Sequence, residues 1–440
     1  MSQPSPAGSF LRHNRRDFLK AGSTLAAAGM LAGGLSIGRS AHAAGGDLLK
    51  IGLVGCGGRG TGAAVNALGA DKNCKLVAMA DAFEDRLKGS LEAIQKQMGD
   101  KVDVPAERQF VGLDAGDKLI HSDVDVVLLT EPPHFRAAHL KTAIEAGKHV
   151  FAEKPVAVDA PGVRSVLASA EEAKRKNLNL VAGLCWRYDS GVRETMKRVF
   201  DGAIGDITSI QETYLTGTLW HRPRQPDWTE MMYQLRNWYY FSWLSGDFNT
   251  EQHVHSLDKA AWAMHDQPPL RAWGLGGRQV RTDAKFGDIY DHHAVVYEYP
   301  NGVHVHSYCR QIANCYSDVT DIFVGTKGRA NILQNKIEGE NPWHYSGPKP
   351  SMYDVEHQEL FAAIRSGKTI NNGAYLARTS MLAILGRMVD YTGQVLTWEQ
   401  AINSQQKLAP ASYAFDATPP ILPDAQGRYP VAVPGETKFV

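Results

Sequence analysis

Cysteine is scarce in this chain: five residues in 440, an odd number, with no Cys-x-x-Cys pair. Cys56, Cys74, Cys185, Cys309 and Cys315 therefore form neither a disulfide framework nor a paired-thiol motif, and they read as buried free thiols. Net charge is missing too. The 47 basic and 47 acidic residues cancel, which leaves no basic excess for a polyanion and excludes a nucleic-acid partner. Beyond the N-terminus no run of 18 strongly apolar residues occurs, so no membrane span is expected once that segment is removed. Internal repeats are absent. What remains is a soluble globular composition, 43% hydrophobic and 21% charged, long enough for two domains with separate cores.

The N-terminus differs from the rest. Asn14-Arg15-Arg16-Asp17-Phe18-Leu19-Lys20 is a twin-arginine pattern. A mild apolar run rich in Ala and Gly covers 21–37, and Ala41-His42-Ala43 offers a small-x-small cleavage site. Residues 1–43 thus read as a signal peptide for export, to the periplasm or beyond, by the twin-arginine route. That route carries proteins already folded. A cofactor loaded in the cytoplasm would have to stay bound, and is expected to be non-dissociating.

The most informative stretch is Ile51-Gly-Leu-Val-Gly-Cys-Gly-Gly-Arg-Gly-Thr-Gly62. An apolar run at 48–54 enters Gly55-x-Gly57-x-x-Gly60, and a helix-compatible stretch follows. This order places a pyrophosphate on a helix N-terminus. Gly55 would make the turn, Gly57 would admit the phosphates, and Gly60 would let helix and strand pack. A second strand at 75–80 leads into Asp81, 21 residues past Gly60, where an acid can accept both ribose hydroxyls of an adenosine. Asp81 would repel a 2′-phosphate, which favours NAD over NADP.

Strand and helix signals alternate through 48–186, with further strands at 109–111, 124–129, 148–152 and 178–184. Helices are expected at 82–98, 134–146 and 160–176. This pattern predicts an α/β Rossmann domain, a doubly wound parallel sheet. From 187 to 408 the texture becomes α+β. Strand-like runs at 207–214, 271–277, 293–299, 303–310 and 321–325 predict a large, mostly antiparallel open sheet, with a hairpin at Pro300-Asn-Gly302. Helices are expected at 190–201, 354–366 and 374–392. Residues 409–440 contain Pro410, Pro419, Pro420, Pro423, Pro430 and Pro434 and read as an extended arm on a surface or a partner subunit.

Chemistry concentrates in four places. Ala152-Glu153-Lys154-Pro155 ends a strand, where ligands bind in open parallel sheets. Lys154 there could hydrogen-bond a substrate hydroxyl and favour its oxyanion. The stretch from Glu251 onward reads as a helix with Glu251, His255 and Asp258 on one face, an acid beside a histidine suited to acid/base work. His253 points elsewhere. His-x-His and Glu-x-x-x-His are also metal-ligand spacings, but the two histidines diverge on a helix, and no metal is expected. Trp186-Arg187-Tyr188 follows the sixth strand, beside the nicotinamide half of a cofactor. Tyr214, Trp220-His221-Arg222, Trp228 and the aromatic run 238–243 suit a carbohydrate, or pack a core or dimer interface.

Together these residues resemble the glucose–fructose oxidoreductase/inositol dehydrogenase family (Gfo/Idh/MocA). The likeness spans 48–395 and rests on Gly55-Cys-Gly-Gly-Arg-Gly60, Glu131-Pro132, Ala146-Gly-Lys-His-Val150, Glu153-Lys154-Pro155 and His255-x-x-Asp258. It implies NAD(P), and a C-terminal sheet that builds a homodimer or tetramer. Lys154, His255 and Glu251 are then the catalytic residues. Cofactor contacts are expected from Gly55, Gly57, Gly58, Arg59, Gly60, Asp81, Arg86, Glu131, Pro132, His134, Glu153, Lys154, Trp186 and Arg187. Substrate contacts are expected from Tyr188, Trp220, His221, Arg222, Glu251 and His255. Glu251 stands where the family commonly has Asp, and Ser245-Gly246-Asp247 replaces a glycine-rich entry. The implied activity is oxidoreduction of a secondary alcohol in a sugar, glycoside or cyclitol. The alternative is a redox-neutral, NAD-dependent glycoside hydrolase or lyase.

Overall fold

The computed structural model describes residues 47–439; the twin-arginine pattern and the rest of 1–43 lie outside the described residues. The first half begins β1 (Leu49–Val54), α1 (Gly58–Ala70), β2 (Cys74–Asp81), α2 (Glu84–Met98), β3 (Gln109–Val111) and α3 (Ala115–Ile120). It continues β4 (Val126–Leu129), α4 (Pro133–Glu145), β5 (His149–Ala152), α5 (Ala160–Arg175) and β6 (Leu180–Ala182). The six strands lie in the order β3-β2-β1-β4-β5-β6, all parallel. β4 is Val-Val-Leu-Leu with every residue buried. Such unbroken apolar runs suit strands covered by helices on both faces. The connections reverse direction between β1 and β4, which opens a crevice at the strands' C-terminal ends.

The second half runs α6 (Ser190–Phe200), β7 (Ile207–Thr216), α7 (Glu230–Arg236), α8 (Ser242–Ser245), α9 (Phe248–Glu251) and α10 (Val254–Ala263). Then come β8 (Arg271–Gly277), β9 (His292–Glu298), β10 (His304–Gln311), β11 (Asp318–Gly325), β12 (Gly328–Asn331), β13 (Lys336–Gly339) and β14 (Trp343–His344). The chain closes with α11 (Met352–Ser366), α12 (Gly373–Thr392), β15 (Leu396–Thr397) and α13 (Trp398–Asn403). Nine strands form one sheet, β14-β13-β12-β11-β7-β10-β9-β8-β15. Only the β7–β10 pair is parallel. The expected hairpin joins β9 to β10, with Tyr299 N–H donating to Val303 O at 2.9 Å.

Burial alternates strictly along β9, the signature of a sheet with one covered face. The inward face carries Val295, Tyr297, Val305 and Phe323 beneath α10 and α12. The outward face leaves Leu275, Tyr308 and Val324 exposed. α12 is buried nearly all round, because it lies between α5 of the first sheet's layer and β8 of the second sheet. α11 packs on α1. Four of the five cysteines are buried free thiols; Cys315 departs from that expectation and is exposed.

The proline-rich arm lies on its own chain. Tyr413 OH meets His134 Nε2 at 2.7 Å, Tyr429 OH donates to Glu230 at 2.6 Å, and Ala432 O accepts from Tyr290 OH at 2.9 Å. Gly435 N–H closes on Thr392 O at 2.9 Å, just before the left-handed Gly393 that ends α12.

Arg187 bolts these layers together. Its buried guanidinium donates to Asp258 at 3.0 Å and to Asp266 at 2.5 Å. It lies 3.9 Å from the Tyr375 ring centre and 5.2 Å from that of Trp262. Burial works against the charge, and the two carboxylates more than compensate, raising its pKa. Removing one partner of a buried ion pair strands the other charge. Arg187→Met should therefore lower stability by about 3–5 kcal/mol in denaturant unfolding. An unchanged midpoint would show that the pair is not structural.

Candidate active site

The site begins at the glycine loop. Gly55 has φ +91°, and a Cβ there would lie 2.4 Å from Glu131 N. A Cβ on Gly60 would lie 1.9 Å from Gly55 O. Both positions are closed to side chains by backbone. Gly57 and Gly58 are the opposite case: a Cβ on either meets nothing within 4 Å. α1 starts there with no side-chain cap and no acid in its first turn. Its leading N–H groups and the helix dipole are thus free for an anion. Asp81 lies across the loop, its carboxylate accepting from Cys56 N–H at 2.7 Å and Phe83 N–H at 2.9 Å.

Above the loop is a cavity of about 380 Å³. Gly55, Gly57, Gly58, Arg59, Gly60, Asp81, Arg86, Glu131 and Pro132 line it. An open glycine loop, an uncapped helix start and a ribose-range carboxylate fit a dinucleotide.

β4 and β5 are neighbours with Leu129 opposite Ala152, so Glu131-Pro132 and Glu153-Lys154 leave the sheet side by side. Buried Arg136 ties them by donating to Glu131 O and Pro155 O. Glu153 holds Arg59 of the glycine loop at 3.2 Å. Lys154 reaches into the second half of the chain, its Nζ donating to Glu251 O at 2.6 Å and Glu251 Oε1 at 3.1 Å. His255 stands nearby with a buried, unpartnered Nδ1. Burial first, then the Lys154 and Lys259 cations, push its pKa well down. A neutral imidazole beside an ammonium can accept a proton that the ammonium helps to loosen.

The expected continuous helix from Glu251 is broken. α9 ends at Glu251 and α10 begins at Val254. The intervening side chains are drawn toward β10: Gln252 accepts from Gln311, and His253 meets Ser307 at 2.6 Å. Glu251 is thus separated from the helix that carries His255 and Asp258, which keep their i, i+3 spacing on α10, and Asp258 serves Arg187.

α9 is set by Asp247, a non-glycine residue at φ +71° and ψ 160°, a conformation that costs on the order of 1–3 kcal/mol. Its carboxylate is fully engaged, with Phe248 N–H at 2.5 Å, Tyr290 N–H at 3.0 Å and Tyr391 OH at 2.6 Å. His293 lies between Asp247, at 3.3 Å, and Asp390, at 2.8 Å. Against the cost of burial, these two carboxylates raise its pKa to about 9.

Other expected contacts lie elsewhere. Arg187 is the buried bolt described above. Tyr188 OH donates to Asn372 at 2.8 Å, and Trp186 packs on the core with Lys259 over its ring. These three leave the cofactor and substrate sites because the short turn after β6 points its side chains at α10 and α12. His134 is also withdrawn, wedged against Trp243 and Tyr413, and burial lowers its pKa to about 4. Trp220 and Arg222 line the same cavity as the glycine loop and Asp81, and His221 meets Tyr233 OH at 3.0 Å. Phe83, Arg236 and Trp238 also line the cavity. Trp238 belongs to the aromatic run already singled out, whereas Phe83, Arg236 and the Asp247–His293–Asp390 network had no local signal, since their partners are remote in sequence.

His293 has a folded pKa of about 9 against an ordinary 6.5. Its stabilisation is complete below about pH 6.5 and is lost as pH rises toward 9. The wild-type melting temperature should fall across that window, and His293→Gln should flatten the fall. Equal slopes in the two proteins would refute the charged triad.

Comparison with known proteins agrees with this geometry. The family model described as "Oxidoreductase family, NAD-binding Rossmann fold" matches residues 49–180, and "GFO/IDH/MocA C-terminal domain" matches 192–331. Inositol 2-dehydrogenase of Rhizobium meliloti (strain 1021) is 27% identical over 247 residues, 56% of this chain and 63% of that protein. Trans-1,2-dihydrobenzene-1,2-diol dehydrogenase of Bos taurus is 26% identical over 250 residues, 57% of this chain and 64% of that protein. The chain thus matches under two thirds of the length of these relatives. Scyllo-inositol dehydrogenase from Lactobacillus casei, solved with NAD(H) and scyllo-inositol, superposes with a TM-score of 0.60 at 20% identity, covering 80% of this chain and 100% of that one. At that identity it shows the fold. With both halves matched in order, the chain belongs to the Gfo/Idh/MocA family of oxidoreductases.

Proposed function

We propose that this protein is an NAD-dependent oxidoreductase acting on a secondary alcohol of a sugar or cyclitol, with its cofactor held tightly. The observation that carries this reading is the Lys154–Glu251 pair, with neutral His255 beside it, at the strand ends that border the open glycine loop. The backbone N–H groups from Gly57 onward would hold the pyrophosphate, and Asp81 the adenosine ribose. Asp81 favours NAD, because a 2′-phosphate would face its charge. When bound, the nicotinamide supplies a hydride acceptor. The protein's part is proton handling. Lys154 donates a hydrogen bond to the substrate hydroxyl and stabilises its oxyanion, Glu251 orients the ammonium, and His255 accepts the proton.

Relatives named inositol 2-dehydrogenase support a polyol substrate, as does a structural neighbour described as levoglucosan dehydrogenase in complex with NADH and levoglucosan. The outward sheet face, with Leu275, Tyr308 and Val324 exposed, supports assembly into a homo-oligomer. The Asn14–Lys20 pattern supports export of the folded, loaded enzyme.

Two measurements check the reading. Denatured protein should release NAD, and a panel of sugars, glycosides and cyclitols should yield NADH, with aglycone release followed in parallel. Lys154→Ala should lower turnover by on the order of 10²–10⁴-fold while the nucleotide stays bound; full activity in that variant would overturn the assignment. Separately, Asp81→Ala should raise use of NADP relative to NAD by about tenfold or more, a single 1.4 kcal/mol step. An unchanged ratio of kcat/KM for the two coenzymes would remove Asp81 from the ribose site.

A further inference from the structure

We infer that Trp220 and Arg222, from the second half of the chain, bind the adenosine side of the dinucleotide, and that the C-terminal arm latches them over it. This rests on the reading above, that a dinucleotide fills the cavity. One wall of that cavity is the expected one, with Asp81, Phe83 and Arg86. A second wall comes from Trp220, Arg222, Leu235, Arg236 and Trp238 of the second half of the chain.

Arg222 is the telling residue. Its backbone is pinned by Asn237, which accepts from Arg222 N–H at 2.8 Å and donates to Arg222 O at 3.0 Å. Its guanidinium stacks 4.7 Å from the Trp220 ring centre. Its Nη1 is buried without any acceptor. A buried, charged donor left unsatisfied is costly. A phosphate oxygen of the ligand supplies the missing acceptor, and the two indoles supply flat faces to an adenine.

The latch is a second observation. Arg236 crosses to the first half of the chain and grips Asp85 through two bonds of 2.9 and 3.0 Å. It also stacks 3.9 Å from the Phe83 ring centre. The arm adds Phe415, whose ring stacks on Phe83 at 5.5 Å and whose carbonyl accepts from Thr229. Ile421 O accepts from Gln234 at 2.6 Å, and Tyr429 fastens Glu230. Thr229, Glu230 and Gln234 belong to α7 and its cap, the helix that carries the wall. The arm thus holds the wall shut from outside. Release of the cofactor requires it to lift, which gives a physical basis for retention.

The test uses the full mature chain loaded with NADH and chased with excess NAD, the fall in NADH fluorescence giving the off-rate. Phe415→Ala combined with Tyr429→Phe should raise the off-rate by about tenfold or more. Trp220→Ala and Arg222→Gln should weaken equilibrium binding of NADH by a similar factor, as calorimetry reads it. Truncation after residue 411 should exceed the point variants. Where the truncation does not fold, the point variants decide, provided their circular dichroism matches the wild type. Off-rates and affinities equal to the wild type would overturn the clasp and leave the oxidoreductase reading intact. Absence of any dinucleotide binding by the wild type would overturn both.

Discussion

A lysine ammonium held against a carboxylate from another part of the chain is the interaction on which this structure turns. Lys154 leaves the end of one sheet's strand, and Glu251 ends a single helical turn beside the other sheet. Neither element places the pair alone. The 2.6 and 3.1 Å contacts need α9 in one orientation, and α9 starts from Asp247, strained at positive φ. That strain persists because the Asp247 carboxylate is bonded on all sides and backed by the His293 cation. His293 in turn spans to Asp390 on α12, the helix buried between the two layers. The position of Lys154 thus depends on a chain of buried charges that runs through the core, each compensated by the next.

The same division of labour governs the cofactor end. Glycines at 55 and 60 are demanded by backbone contact, while 57 and 58 keep a surface clear. That half of the site is local, made by fewer than ten consecutive residues. The other wall comes from 217–240 and is braced by residues beyond 410. A pocket made this way is enclosed by segments far apart in the chain, so its closure is a property of the folded whole.

The order of strands and helices in the first half was legible because each signal is short-range. Apolar runs of four to six residues that alternate with helical stretches read as covered parallel strands, because they are too short for helices and unbroken by polar residues. Gly55–Gly60, Asp81, Glu131 and Lys154 were visible for the same reason. The break at Gln252 was not, because local periodicity favours continuing the helix, and Gln311 and Ser307, which pull the two side chains aside, are more than 50 residues away. Arg187 misled for a related reason: an arginine after a strand end looks like a ligand contact until Asp258 and Asp266 are found around it.

The sequence by itself determined the two-part architecture, the dinucleotide loop and the candidate catalytic lysine and histidine, since these rest on residue type and spacing along one stretch. Tertiary structure decided which charges pair with which. It gave Glu251 to Lys154, Asp258 to Arg187, and the aromatic segment and the arm to each other beside the glycine-loop cavity. The physical reason is that a charge in the interior is defined by its partner, and in this fold the partners lie tens to hundreds of residues apart.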